Sequence, residues 1–363
     1  MVIDQLIPES PKDSFLQEDL EHIADSNVPM EELKGSSILV TGATGLVGSQ
    51  MVRALACMNR LKQTDIHILA LVRSPEKARR IYGDLLDRKD IELVQGDLMC
   101  GLKVDGRVDY IIHGAAVTAS RTMVTEPVNT IMTAIDGTRN VLELAREKNI
   151  RAMVYLSSME VYGKWDGSSE VTEDKMGYVD PLAVRSNYPE GKRMCENMCV
   201  AYLTQYQVPV RIARLAQTFG AGILPGENRV FAQFARSAMN GTDIVLHTKG
   251  LSEGNYCYTA DTIRALLTIL VKGKNGEAYN ISNEENHTTI ADMAEFAAEK
   301  LAGGKIRVVF DIPQSNTFGY AADTKMKLSA AKMRSLGWEP QYNLEQCYRR
   351  MMGSMRCMQE EQN

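Results

Sequence analysis

The feature that most constrains this chain is an alternation repeated along its first half, in which short apolar runs are separated by stretches that carry the helical period. SILVTG, HILALV, IELVQG, VDYIIHGAA and AMVYLSS are five such runs between Ser37 and Ser158, and PVRIARL, Pro209 to Leu215, is a sixth. Their shortness and aliphatic content suit strands buried on both faces. Segments between them, such as NVLELAREK from Asn140 to Lys148, place apolar residues on one helical face. Parallel neighbours need crossover connections, so repeated strand-helix units predict an α/β fold: a doubly wound parallel sheet with helices on both faces.

With 363 residues, of which 44% are hydrophobic and 24% charged, the chain can bury a large core. Three parts are expected. Residues 1–34 read as a peripheral acidic arm or cap with a short helical pattern at Leu16, Leu20 and Ile23. Residues 35–220, which hold the strand-helix units, the glycine-rich turn TGATGLVG and the pair Tyr188 and Lys192, read as the dinucleotide-binding and catalytic part. Residues 221–363, with VFAQFARSAM and DTIRALLTIL as helices, read as mainly a smaller substrate-binding lobe, some of whose elements return to the sheet. A net charge of -5 and no basic cluster interleaved with aromatics argue against nucleic acid as a partner. No apolar run reaches the roughly 18 residues of a membrane span, and MVIDQLIPESPKDSF lacks the basic-then-apolar order of a secretory signal, so a cytoplasmic protein is expected. Seven cysteines without a repeated C-x-x-C spacing argue against a disulfide framework and a zinc site; Cys195 and Cys199, four apart, read as buried apolar residues.

Thr41-Gly42-Ala43-Thr44-Gly45-Leu46-Val47-Gly48 joins the first run to a helical stretch, SQMVRALACM. Glycines in such a turn let the chain bend tightly, let the backbone approach a pyrophosphate and let the helix pack closely, while the helix start offers free N–H donors. Between a first strand and a helix this is a dinucleotide signature, which makes the expected sheet Rossmann-type. Gly42, Thr44, Gly45, Leu46, Val47 and Gly48 are its candidate contacts. Arg73 follows the second run. An acidic residue there would hold the adenosine ribose, whereas arginine suits a 2'-phosphate, so the cofactor is NAD or NADP with Arg73 leaning to NADP. Asp97 and Leu98 after the third run, and Ala115 and Ala116 after the fourth, stand where a dinucleotide would cross the sheet. His113 reads as a core histidine and is assigned no chemistry.

Tyr188-Pro189-Glu190-Gly191-Lys192 opens a helix that continues as RMCENMCVAYL. A spacing of four puts phenol and ammonium on one face. A nearby cation favours phenolate, so a group that titrates at about 10 becomes able to accept a proton near neutrality. Ser157-Ser158 closes the fifth run.

TGATGLVG, QGDL, IIHGAA, YLSSMEVYG, YPEGK and LGWEP (Leu336 to Pro340) together resemble the extended short-chain dehydrogenase/reductase family of nucleotide-sugar epimerases, dehydratases and decarboxylases, from about Ser37 to Tyr348. VDPLAVRSNYPEGKRMCENMCVAY and ARLAQTFG are most similar to UDP-glucuronate decarboxylases. The resemblance implies transient oxidation at carbon 4 of a nucleotide-diphosphate sugar. Tyr188 would remove the hydroxyl proton, Lys192 would hold the nicotinamide ribose and lower the tyrosine's pKa, and Ser158 would hydrogen-bond the reacting oxygen, with Ser157 structural. Glu160 is the residue of dehydratases and decarboxylases, whereas epimerases carry an uncharged one. Met159 replaces the aspartate with which dehydratases protonate the leaving water. Lyase chemistry of the decarboxylase kind is therefore ranked slightly above epimerisation, and dehydration third. The resemblance also implies a homodimer through the helices Thr130 to Lys148 and Tyr188 to Gln207.

Three positions depart from the family pattern. Gln217 and Ala134 each stand where it has asparagine, and Gly254 where it has arginine. Loss of a charge-assisted arginine contact removes roughly 1.5–3 kcal/mol of interaction. Arg229, which matches a family position, and Arg185 are the candidate substitutes for substrate recognition, alongside Ser158 and Gln217. Two other readings compete: a net NADPH-dependent reductase, which Arg73 suits, and a non-catalytic dinucleotide sensor, which the intact tyrosine, lysine and serine disfavour.

Overall fold

The computed structural model describes residues 7–165, 167, 169–313 and 323–360. Residues 1–6 of the expected N-terminal segment, and 314–322 and 361–363 of the expected lobe, lie outside that set. In chain order the strands are β1 (Ser37–Thr41), β2 (His67–Val72), β3 (Ile91–Gln95), β4 (Tyr110–His113), β5 (Ala152–Ser158), β6 (Val210–Leu215), β7 (Gln217–Phe219), β8 (Ile244–Leu246), β9 (Glu253–Tyr258), β10 (Ala278–Ile281), β11 (His287–Thr289) and β12 (Val308–Phe310). The helices are α1 (Ser14–Asp25), α2 (Leu46–Lys62), α3 (Pro75–Tyr82), α4 (Ser120–Thr125), α5 (Pro127–Lys148), α6 (Asn187–Tyr206), α7 (Val230–Asn240), α8 (Thr259–Lys272), α9 (Ile290–Phe296), α10 (Ala331–Arg334) and α11 (Leu344–Glu360).

Seven strands form one parallel sheet in the order β10-β6-β5-β4-β1-β2-β3. The chain runs outward from β1 to β3, then returns to place β4 on the other side of β1. That reversal opens a crevice at the strand carboxyl ends, the usual ligand position in such sheets. Side chains alternate between faces, as strand geometry requires. Ile38 and Val40 of β1 and Val154 and Leu156 of β5 join the core beneath α2 and α8, while Leu39, Met153 and Tyr155 face Val141 and Leu142 of α5 and Cys195 and Cys199 of α6. Helix α8 is buried over nearly its whole length, packed on the sheet beside α2 and covered by α1. Its apolar sequence is what a helix without a solvent face needs.

All six apolar runs read from the sequence are strands of this sheet. The seventh, β10, is short and carries Asn280, a polar residue that is nevertheless fully buried. Its amide donates to the carbonyls of Val171 and Ser329, and that partnership is invisible to a reading of hydrophobic pattern. Small sheets lie outside the main one: β7 pairs with β9 and β9 with β11, while β8 pairs with β12. Among the described residues no helix is long and apolar enough to cross a membrane.

Residues 7–34 of the segment expected at the periphery lend apolar side chains to the core. Asp13 accepts from the Leu16 N–H and starts α1, whose Leu16, Leu20, Ile23 and Ala24 pack into the main core, with α2, α8 and α11 as neighbours. Glu9 is fully buried, 2.8 Å from Arg88 and 2.9 Å from Arg60. Burial pushes its carboxyl up, but hydrogen bonds from Arg60 and Gln17 outweigh that and hold it below the ordinary range. Asp19 accepts from Tyr258 and, at 2.8 Å, from Arg350 of α11; burial nonetheless pushes it up to about 6. Of the acidic residues that suggested an exposed arm, Glu9 and Asp19 are buried against arginines, while Glu18, Asp25, Glu31 and Glu32 are exposed.

Replacing Leu20 by Ala is expected to lower unfolding free energy by about 3 kcal/mol, since it empties a fully buried site. Urea unfolding measures this, and a loss under about 0.5 kcal/mol would return the segment to the periphery.

Candidate active site

The turn after β1 depends on missing side chains. Gly42 has φ of 69°, and a Cβ there would stand 2.8 Å from the Ala115 nitrogen. A Cβ on Gly48 would lie 2.2 Å from the Gly42 carbonyl oxygen, so the first turn of α2 can close on the loop only with glycine. Gly45 precedes α2 in extended conformation, and Thr44, Leu46 and Val47 are partly exposed beside it. Tyr82 donates to the Ala43 carbonyl and anchors the turn from α3. This cradle suits a pyrophosphate, with the α2 N–H groups as donors. The other candidate cofactor residues stand along the same edge. Arg73 is exposed at the end of β2, and the Asp97 carboxylate caps the Met99 N–H at 2.9 Å after β3. Leu98 is buried against Gly137 of α5. Ala115 and Ala116 follow β4, half-buried, and the Ala115 N–H donates to Thr41. The residues present therefore fit a dinucleotide laid across β3, β2, β1 and β4.

His113 is a satisfied core residue. Its ring lies 2.7 Å from the Thr41 hydroxyl and 3.2 Å from that of Thr138, and burial pushes it down to about 3. It is neutral at physiological pH.

The second constellation forms where β5 meets α6. Ser158 is the last residue of β5, and its hydroxyl accepts from the Glu160 N–H at 3.2 Å. Tyr188 lies in the first turn of α6, with Lys192 one turn later and buried. The Lys192 ammonium donates to the Leu156 carbonyl at 2.7 Å, and lies 4.8 Å from the ring centre of Tyr155 and 5.9 Å from that of Tyr188. Burial pushes Lys192 down to about 8. Tyr188 is pushed up to about 12, first by burial and then by the Glu160 charge, against a hydrogen bond with Ser158 and the positive charges of Arg185 and Arg229. One donor of the ammonium engages a backbone carbonyl, and the arginine charges beside the phenol are those of Arg185 and Arg229.

Arg185 holds Glu160 through both guanidinium nitrogens at 3.1 Å, and lies 5.7 Å from the Tyr188 ring centre. Arg229 precedes α7, is exposed, and pairs with Glu227 at 2.6 Å. Gln217 starts β7, half-buried, immediately beyond β6. Met159 is buried in a small apolar cluster with Val161, Tyr162, Val171 and Ala216. A Cβ on Gly254, a buried residue of β9, would make ordinary contact with the Met159 methyl at 3.8 Å. The sequence reading did not single out Glu196 or Arg214, a buried pair behind Ser157, although Glu196 follows Lys192 at helical spacing. Among the described residues no cluster of side chains is arranged to hold a metal ion.

Residues 38–282 match the NAD dependent epimerase/dehydratase family. Among curated relatives, UDP-glucuronic acid decarboxylase 1 of Danio rerio is 30% identical over 323 residues, covering 87% of this chain and 72% of that protein. UDP-glucuronic acid decarboxylase 6 of Arabidopsis thaliana is 30% identical over 310 residues, covering 85% of each. Among solved structures, UDP-glucuronic acid 4-epimerase from Bacillus cereus, in complex with UDP-glucuronic acid and NAD, superposes with a TM-score of 0.72 at 21% identity, covering 89% of this chain and 99% of that one. The glycine cradle, the serine, tyrosine and lysine at the sheet edge and the extent of the match lead to one assignment: the chain belongs to the NAD dependent epimerase/dehydratase family.

Proposed function

We propose that this family member decarboxylates a nucleotide-activated uronic acid by transient oxidation at sugar carbon 4. The observation that carries the choice among outcomes is Glu160 standing beside Tyr188 with apolar Met159 before it. Loss of water needs a proton donor for the leaving oxygen, and Met159 is none. Loss of carbon dioxide needs only an adjacent ketone as electron acceptor. The decarboxylase relatives support the same reading, while the epimerase of similar fold acts on a uronic acid too, so product analysis decides between them.

A bound oxidised nicotinamide would supply the hydride acceptor and, later, the hydride donor. Ser158 hydrogen-bonds the carbon 4 oxygen and Tyr188 takes its proton, the arginine charges and the Ser158 hydrogen bond easing ionisation of a phenol that burial opposes. Lys192 holds the nicotinamide ribose. With the ketone formed, the bond from carbon 5 to the carboxylate breaks, its electron pair moves into the carbonyl, and carbon 5 then takes a proton. Tyr188 returns its proton to the carbon 4 oxygen as hydride comes back. Arg185, Arg229 and Gln217 are the groups placed to meet the anionic parts of the substrate.

The exposed apolar residues Val124, Val128 and Met132 recur four apart along α4 and α5, and Met194 is exposed on α6, a surface suited to the proposed homodimer. Arg73 belongs to the reading of NADP as the preferred cofactor, and is the feature that favours a net reductase as the second reading.

Incubation with UDP-, dTDP-, GDP- and CDP-linked sugars and uronic acids, followed by mass spectrometry, should show loss of carbon dioxide from a uronic acid without net change in nicotinamide absorbance. An unchanged mass with inverted stereochemistry would make it an epimerase, and stoichiometric cofactor consumption a reductase. Tyr188→Phe is expected to cut turnover by about a thousandfold, while leaving dinucleotide binding in place. NADPH should bind more tightly than NADH, and Arg73→Ala should remove roughly tenfold of that preference in a fluorescence titration; equal affinities in the unaltered protein would make the cofactor NAD.

A further inference from the structure

Behind the groups that face the crevice lies a buried cluster with no assigned part in the chemistry. Helix α6 offers Tyr188, Lys192 and Glu196 at successive turns, and each meets the end of β5. Ser158 lies within influence of the Tyr188 hydroxyl, Lys192 donates to the Leu156 carbonyl at 2.7 Å, and the Ser157 hydroxyl donates to Glu196 at 2.5 Å. Arg214 of β6, the register partner of Ser157, completes the joint. Its Nε lies 3.0 Å and its Nη2 2.7 Å from the two oxygens of Glu196, and its Nη1 donates to the Tyr162 hydroxyl at 3.0 Å and the Glu173 carbonyl at 2.8 Å. Tyr162 in turn donates to Asn280 of β10.

A cavity of about 530 Å³ opens beside this cluster, lined by Glu196, Arg214, Arg193 and Lys332 among others. Both charged groups of the pair are already committed to protein partners, so the cluster does not read as a ligand site. Nor is stability a sufficient reason for it, because a buried ion pair is commonly no better than apolar residues of the same shape. What the cluster does is lock three consecutive residues of β5 to three consecutive turns of α6.

We propose that Glu196 and Arg214 are a positioning pair, which fixes the register of α6 against the end of β5 and so places Ser158 and Lys192 relative to Tyr188 and the bound dinucleotide. The inference rests on the family assignment and on the proposed roles of those three residues. The charges around Lys192 fit it. The ammonium faces His113 from β4, Tyr155 from β5, and Tyr188, Cys195, Glu196 and Cys199 of its own helix. From α5 the nearby polar groups are the Ala134 carbonyl, which accepts from Cys195, and Thr138, bonded to His113; neither is charged. Glu196 is the carboxylate of that set. Burial pushes Lys192 down, and the Glu196 carboxylate pushes it back up.

The test is NADH binding, followed by fluorescence from neutral to alkaline pH, in the unaltered protein, Glu196→Gln and Arg214→Lys. Affinity of the unaltered protein should fall with a midpoint near the Lys192 value of about 8. Glu196→Gln removes a carboxylate and leaves the Arg214 cation uncompensated. Both changes disfavour the ammonium, so the midpoint should move down by about one pH unit. Arg214→Lys keeps the cation and should keep the midpoint. A pair that served stability alone would lower the unfolding temperature of both variants without moving either midpoint, and that result overturns the proposal. If Glu196→Gln does not fold, Glu196→Asp, which withdraws the charge from Ser157 by one methylene, should shift the midpoint in the same direction by less, and an unmoved midpoint there has the same force. Turnover separates the two claims: if no sugar nucleotide reacts with the unaltered protein, the proposed function fails while the NADH measurement still decides the positioning role. Where one does react, Glu196→Gln should lower kcat by more than tenfold with KM nearly unchanged.

Discussion

The Lys192 ammonium, taken out of water by the fold, is the point on which the arrangement at the sheet edge depends. A buried cation has to be hydrogen-bonded, and this one finds the Leu156 carbonyl and the faces of Tyr155 and Tyr188. To reach that carbonyl, α6 must lie close against β5. On its other side α6 packs against α5, where a Cβ on Gly191 would make ordinary contact with the Ala134 methyl at 3.5 Å. Given that approach, the phenol one turn earlier and the serine at the strand end come together without further adjustment.

Strand geometry then divides the labour between neighbouring serines. Side chains of consecutive strand residues point to opposite faces, and a one-residue slip would exchange them. Ser157 is turned to Glu196 of α6 and is buried, whereas Ser158 is partly exposed and reaches Tyr188. Parallel pairing of β5 with β4 and β6 fixes that register, with Ser157 opposite Arg214 and Ser158 opposite Leu215. The chemistry at the edge is thus set by pairing that begins several residues earlier, in the apolar interior of the strands.

What could be read from the sequence follows the same division. Six strands and the glycine turn were legible because strand burial and backbone approach leave local marks, an apolar run and a missing side chain. The tyrosine, lysine and serine were legible as a motif. The docking of α1 was not, because amphipathic spacing says that a face is covered without saying by what; the Asp19, Tyr258 and Arg350 contacts join residues far apart in the chain. Strand β10 was missed because the buried Asn280 interrupts the apolar pattern. The burial of Tyr188 was not legible for a related reason. Spacing along α6 reveals that Lys192 is near, but the carbonyl that engages it comes from β5, and burial is a property of the whole fold.

The same reasoning bears on how a charged substrate would be met. Each arginine near Tyr188 already has a carboxylate of its own, Glu160 for Arg185 and Glu227 for Arg229. An incoming anion therefore exchanges with a partner and does not fill a bare positive site. The two exchanges differ in consequence, because Glu160 and Arg185 act on the phenol with opposite sign while Arg229 acts only to ease ionisation. On the proposed reading, an anion that drew Arg185 from Glu160 would leave the carboxylate opposing ionisation of Tyr188, whereas one that took Arg229 from Glu227 would leave the Glu160 pair intact. A diphosphate on the Arg229 side and a smaller group near Arg185 is then the orientation that disturbs the phenol least.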